Sequence, residues 1–223
     1  MIDTDLRETA FMGKITAGVT HDIRNVLAVI RESAGLLEDL LLATNDGSFP
    51  PREKFQAVLA RIGKQVARGV DLINALNQFA HNPDQPTAQI DINQALDQLV
   101  VLSQRFALSK RVSLKAIASD RPILLSCDPV KLQMIVFQGI DLLLHVVSAG
   151  AAIEIRPIAG SYGNVRVEFS SKGAEEVEPH RLNDAVALPL WEALIACAEN
   201  FDATLEQGVP PVWFAIVLGC HDK

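Results

Sequence analysis

Apolar residues at Ile15, Val19, Ile23, Val26, Ile30, Ala34, Leu37 and Leu41 recur every three or four positions, the repeat of one face of an α-helix. The spacing predicts a single long helix over about 5–43. A second run through Phe55, Leu59, Ile62, Val66, Val70, Ile73 and Leu76 predicts another, ending near His81-Asn82-Pro83. Between them, Thr44-Asn45-Asp46-Gly47-Ser48-Phe49-Pro50-Pro51 is dense in turn formers, and its prolines suit the first turn of the helix that follows. Two helices so joined make an antiparallel hairpin, and a lone hairpin leaves much of its apolar stripe wet. The expected remedy is a homodimer, with two hairpins forming a four-helix bundle.

The segment Asn82-Pro83-Asp84-Gln85-Pro86-Thr87 cannot continue a helix, because two prolines remove donors and clash with the preceding turn. Beyond it strands and helices alternate, the sign of an α/β layered unit. Helices are expected over 92–107, 130–147 and 188–200, with strands over 112–116, 123–126, 153–157 and 165–169. Residues 203–206 and 212–218 should close as a hairpin. Asp128-Pro129 is a helix start, with a capping carboxylate and proline at the first helical position. The expected division is a hairpin over 1–82, a linker over 83–88 and an α/β domain over 89–223.

In 223 residues, 20 basic side chains face 27 acidic ones for a net charge of −7, which disfavours nucleic acid and anionic membranes as partners. Cys127, Cys197 and Cys220 are odd in number and match no metal-ligand spacing, which fits buried thiols in a reducing cytoplasm. No signal peptide is evident at the start, and no apolar run approaches the roughly 20 residues that span a bilayer.

On the first helix His21 lies midway between Val19 and Ile23, about 160° from each, so it should face solvent. Asn25 shares its face and Asp22 flanks it. Ala17, Gly18 and Ala28 offer little bulk nearby, which would leave the imidazole open to an approaching protein. Glycine inside a helix costs about 1 kcal/mol relative to alanine, so helix stability does not explain Gly18.

The stretch Gly18-Val19-Thr20-His21-Asp22-Ile23-Arg24-Asn25-Val26-Leu27-Ala28-Val29-Ile30 resembles the phosphoacceptor box of sensor histidine kinases. That box reads His, an acid, two residues, Asn or Thr, then Pro-Leu. Val26 stands in place of the proline, which should leave the helix straighter. The resemblance implies that His21 accepts phosphoryl on a ring nitrogen, that Asp22 holds the ring and selects its tautomer, and that Asn25 matches a position that orients water for dephosphorylation in some relatives.

The order of elements from Ile92 to Leu218 looks like the histidine-kinase ATP-binding domain, a Bergerat-type α/β sandwich, with its ATP contacts altered. The helix opened by Asp128-Pro129 normally carries two asparagines, one for magnesium; those positions fall on Gln138 and Leu142, and leucine offers no oxygen to a hard cation. The family's Asp-x-Gly-x-Gly turn corresponds to Ser171-Lys172-Gly173-Ala174-Glu175. Its later Gly-x-Gly corresponds to Ala187-Leu188-Pro189-Leu190, where proline has no N–H for phosphate. The segment 174–185 is short and acidic for an ATP lid. Loss of these donors should weaken nucleotide binding by orders of magnitude, so no ATP or magnesium cofactor is expected. The chain is therefore similar to histidine phosphotransferases that shuttle phosphoryl between response-regulator receiver domains, with the receiver supplying magnesium. A working kinase with an atypical site, or a regulator-binding module that carries no phosphate, are the alternatives.

Other features have plainer expectations. His81 should meet the carbonyls ending the second helix, His145 should be partly buried and satisfied, and His180 and His221 should lie in a loop and the tail. No histidine pair has zinc spacing. Lys14, Arg24, Arg61, Lys64 and Arg68 could rim a docking face or simply solvate it. Trp191, Trp213 and Leu142-Leu143-Leu144 should pack in the core.

Overall fold

The computed structural model describes residues 2–43, 51–84, 86–173, 189–208 and 212–219. The turn expected over 44–50 lies outside them. Helix α1 (Ile2–Leu42) runs unbroken for 41 residues, and α2 (Arg52–His81) packs antiparallel against it. With Val26 where proline would deny a backbone donor, no break interrupts α1 beside His21.

The inner face of the hairpin differs from the sequence expectation on α2. Val58, Gly69, Leu72, Ala75 and Phe79 turn inward, whereas Leu59, Val66, Val70 and Ile73 of the expected stripe are exposed. Apolar residues span more than one face of α2, and contact with α1 and the α/β unit decides which face is covered. On α1 the buried stripe is Phe11, Ile15, Val19 and Val26, while Leu41 is exposed.

A single 3-10 turn (Asn82–Asp84) leads to β1 (Ala88–Asp91), a strand the sequence pattern does not reveal. It pairs antiparallel with β3 (Leu124–Cys127). Between them lie α3 (Ile92–Ser109) and β2 (Ser113–Ala116). Asp91 caps α3, its Oδ1 accepting from Asn93 N at 3.0 Å, and also accepts from Ile123 N at 3.4 Å. Helix α4 (Pro129–Val146) starts as expected: Asp128 Oδ1 accepts from Val130 N at 2.9 Å and Lys131 N at 3.2 Å, with Pro129 at the first helical position.

Strands β4 (Ala152–Ala159) and β5 (Val165–Lys172) with a 3-10 turn between them (Ser161–Gly163), helix α5 (Pro189–Asn200), and strands β6 (Ala203–Gln207) and β7 (Val212–Leu218) complete the described elements. The five-stranded sheet has the order β2-β4-β5-β7-β6, with β2 and β4 parallel and the other pairs antiparallel. Ile153, Ile155, Val167, Phe169, Phe214 and Ile216 supply buried side chains from its strands. Helix α4 presses on this layer so closely that a Cβ on Gly139 would lie 2.7 Å from the Phe169 ring. Phe169 stacks on Phe214 at 4.6 Å between centroids, and Trp191 of α5 meets Phe214 edge-on at 5.8 Å. The expected packing roles of Trp191, Trp213 and the leucine run at 142–144 are what the structure displays.

Among the described residues α4 is the one helix long and apolar enough to cross a membrane, and 72% of it is buried inside the protein. Its hydrophobicity is that of a core helix.

Candidate functional site

His21 sits on α1 with 47% of its side chain exposed, as its offset from the buried stripe predicts. Asn25, one turn on, places Nδ2 3.1 Å from His21 Nδ1, within hydrogen-bond reach. Asp22 behaves differently from the sequence expectation. Its side chain is only 8% exposed, and its Oδ1 stands 3.9 Å from His21 Nδ1, too far for a hydrogen bond. The carboxylate instead turns toward α2, where Arg68 Nη2 lies 3.6 Å from Oδ2. Asn25 therefore makes the contact that fixes the ring, and Asp22 supplies negative charge beneath it.

The reason is helical geometry. Residue 25 stands directly above residue 21, whereas residue 22 is rotated about 100° away toward the hairpin interior. On that side Val26 packs against α2, and a Cβ on Gly69 would meet Val26 Cγ1 at 3.3 Å. Gly69 thus lets the two helices approach beside the histidine, a role the sequence pattern did not suggest.

Gly18 is likewise explained by packing rather than by an open approach to His21. It is buried, and a Cβ there would lie 3.2 Å from Cζ of Phe106 on α3. Lys14 is not a free rim cation: its Nζ pairs with Asp141 of α4 at 3.0 Å and stands over the rings of Phe106 and Phe137 at 5.5 and 4.9 Å. Phe11 completes this junction, its ring 5.6 Å from Phe79 and 5.4 Å from Phe137. The first third of α1 is therefore built into the α/β unit, and His21 stands one turn beyond Gly18, exposed past the end of that contact.

At the positions that the sequence leads one to expect at a nucleotide site, Leu142 is 1% exposed and offers no donor or acceptor. Gln138 is partly buried on the same helix. Ser171 Oγ accepts the indole N–H of Trp213 at 2.7 Å, and Lys172 Nζ pairs with Glu154 at 2.7 Å. Gly173 holds a positive φ of 85°. Ala174, Glu175, the segment 174–185, Ala187 and Leu188 lie outside the described residues, and Pro189 begins α5.

His81 contacts Asp84 through Nδ1 at 3.0 Å rather than the carbonyls of its helix. His145 is exposed, not partly buried, with Nδ1 2.7 Å from the Asp141 carbonyl oxygen. Cys127 and Cys197 are free and buried, and burial pushes each thiol up to about 12. Cys220, His180 and His221 lie outside the described residues. Among the described residues, no three His, Cys, Asp or Glu side chains gather as a metal site.

Residues 11–84, which include His21, Asp22 and Asn25, match the His Kinase A (phospho-acceptor) domain family. No curated protein matches the chain. Solved structures that resemble it include the Acinetobacter baumannii histidine kinase AdeS, at 16% identity over 86% of this chain and 97% of that one, with a TM-score of 0.48. Histidine kinase ThkA in complex with response regulator protein TrrA resembles it at 14% identity over 94% of this chain and 62% of that one, with a TM-score of 0.46. The cytoplasmic segment of histidine kinase QseC resembles it at 16% identity over 70% and 95%, with a TM-score of 0.42. At these identities no side-chain role carries over from those structures. The family match covers the helical hairpin that carries His21, Asp22 and Asn25, and there the chain is similar to the phospho-acceptor domains of histidine kinases.

Proposed function

We propose that the protein is a cytoplasmic phosphorelay histidine phosphotransferase, in which His21 takes phosphoryl from the aspartyl phosphate of one response-regulator receiver and passes it to another. The observation that carries this reading is an exposed imidazole held by Asn25 inside a segment matching the phosphoacceptor family. A half-turn of the Asn25 amide presents Oδ1 to His21 Nδ1. That arrangement keeps the proton on Nδ1 and leaves the Nε2 lone pair pointing outward. Nε2 then attacks phosphorus, the N–P bond forms and the receiver carboxylate leaves. The ring gains positive charge in this step, and the Asp22 carboxylate 3.9 Å away stabilises it.

The reading that ATP is not the phosphoryl source is supported by the chemistry of the residues aligned with the nucleotide site. Leu142 has no ligand atom for magnesium, and the Ser171 hydroxyl is engaged by Trp213 where the family has a carboxylate for adenine. These residues do not fit a magnesium nucleotide, so receivers supply both phosphoryl and metal. Pairing of two chains is supported by the stripe Leu59, Val66, Val70 and Ile73 of α2, which a second hairpin would cover. Sedimentation equilibrium at micromolar concentration should find a dimer; a monomer there would refute the pairing.

The central test incubates the protein with a phosphorylated receiver. Label should reach the wild type and not His21→Ala. Equal labelling of both, or none of either, refutes transfer through His21, and regulator binding that survives His21→Ala without transfer favours a sequestering module. A rise in melting temperature on adding magnesium ATP together with autophosphorylation on His21 would establish the working-kinase alternative.

A further inference from the structure

The Asp22 carboxylate is nearly buried, and two basic side chains reach it from different helices. His21 Nδ1 on α1 stands 3.9 Å from Oδ1, and Arg68 Nη2 on α2 stands 3.6 Å from Oδ2. Neither separation is a hydrogen bond. Among the described residues Arg68 makes no hydrogen bond, so the five N–H donors of its guanidinium are unspent on the chain. Its side chain is 45% exposed, which leaves the head free to turn. Its backbone, by contrast, is fixed. The next residue, Gly69, is buried against α1, where a Cβ would meet Val26 Cγ1 at 3.3 Å. Arg68 thus has a firm base, a free head and a carboxylate shared with the histidine.

The His21 ring is drawn to the same flank. Asn25 holds Nδ1 at 3.1 Å, and Asp22 lies beyond it. Round α1 these two residues are offset from His21 by about 40° and 100° in one sense, whereas Arg24 is offset by about 60° in the other. Arg24 therefore lies on the flank from which the ring is turned. Lys14 is engaged with Asp141 at 3.0 Å. Arg68 is the cation on the side of the ring that Asn25 and Asp22 define.

A phosphoryl group in flight spreads negative charge over three equatorial oxygens, and an arginine supplies both the opposite charge and paired N–H groups to match them. We infer that Arg68 is a catalytic residue whose guanidinium binds the phosphoryl oxygens as the group passes to and from His21. The inference rests on the reading of His21 as a phosphoryl acceptor. The Nε2 lone pair forms the N–P bond while the P–O bond to the receiver carboxylate breaks, its electron pair leaving with that carboxylate. Arg68 stays protonated and only donates hydrogen bonds. As the guanidinium turns to the phosphoryl group it gives up the Asp22 oxygen, and the carboxylate is left to face the imidazolium that the step creates.

Phosphoramidate, a small phosphoryl donor from which ammonia leaves, separates this chemistry from receiver docking. In single-turnover reactions of the full chain, phosphoramidate and a phosphorylated receiver should each place on the wild type a label that His21→Ala lacks. Arg68→Ala should slow that labelling by about tenfold or more with either donor, in about 0.5 M salt as well as at low salt. Arg68→Lys, which keeps the charge and loses the fork, should recover part of the rate. Arg24→Ala, and Lys64→Ala one turn along α2, should cost no more than about threefold, and less in high salt. In an Asp22→Asn background Arg68→Ala should still slow labelling; no further effect there would mean that Arg68 acts only by holding Asp22, and would overturn the inference. Labelling of Arg68→Ala at the wild-type rate, or an equal loss in Arg24→Ala, overturns it too and leaves His21 standing as the acceptor. No label on the wild type from either donor refutes the acceptor itself, and the role of Arg68 with it.

Discussion

Replacing Asn25 by alanine separates the positioning of the His21 ring from every other service α1 performs. The side chain is exposed, and the contact it makes is the 3.1 Å bond to His21 Nδ1. Removing a neutral hydrogen bond of this kind costs about 0.5–1.5 kcal/mol, so the fraction of rings held with Nε2 outward should fall roughly two- to twelvefold. The helix itself should not suffer, since alanine is a better helix former than asparagine by several tenths of a kcal/mol. The expected outcome is therefore a split: single-turnover transfer from a phosphorylated receiver slows by about that factor, while the urea midpoint stays level or rises. Asn25→Gln, whose longer amide can still reach the ring, should recover part of the rate. A transfer rate unchanged in Asn25→Ala would refute the assignment and return the positioning role to Asp22. A fall in rate matched by a fall in stability would mean that Asn25 is structural.

Two further predictions concern stability. Gly139→Ala places a methyl 2.7 Å from a Phe169 ring that is itself stacked on Phe214, and the overpacking of about 1–3 kcal/mol should exceed the ~1 kcal/mol helix gain; a raised urea midpoint would contradict it. Cys127 and Cys197 have thiols raised from 9.0 to about 12, chiefly by burial, so their contribution is intact below pH 9 and is lost as pH climbs toward 12. At pH 10 that loss is about 1.4 kcal/mol per thiol, and a double Cys127→Ala, Cys197→Ala variant should show a flatter fall in stability between pH 8 and 10 than the wild type. Parallel curves would mean the buried thiols do not titrate this way.

The hairpin was legible because a repeat of three and four over many turns has one structural solution, and the Asp128-Pro129 cap was legible because its chemistry is local. What escaped the sequence was decided at a distance. Strand β1 has a single strongly apolar residue, Ile90, and exists because Leu124–Cys127 comes back to pair with it. The choice between Val66, Val70 and Ile73 and their neighbours Gly69, Leu72 and Phe79 depends on what covers α2, which periodicity along one helix cannot tell. Gly18 suggested room for a docking protein, but its reason is Phe106, nearly ninety residues further along the chain. At the site, helical offset alone placed His21 and Asn25 on one exposed face. It did not say that Asp22 would be drawn inward toward Arg68, because that contact needs the second helix in place.

The junction of Phe11, Lys14 and Gly18 with Phe106, Phe137 and Asp141 has a consequence for how the hairpin can be handled in isolation. Its boundary as a family segment is not its boundary as a folded object. A chain cut after residue 84 would keep His21 yet strip the cover from Phe11 and Phe79 and strand the Lys14 ammonium without its carboxylate. The severed piece would carry a sticky flank on much the same side as its reactive ring and within about three turns of it, and work on the acceptor alone would be measuring a damaged surface.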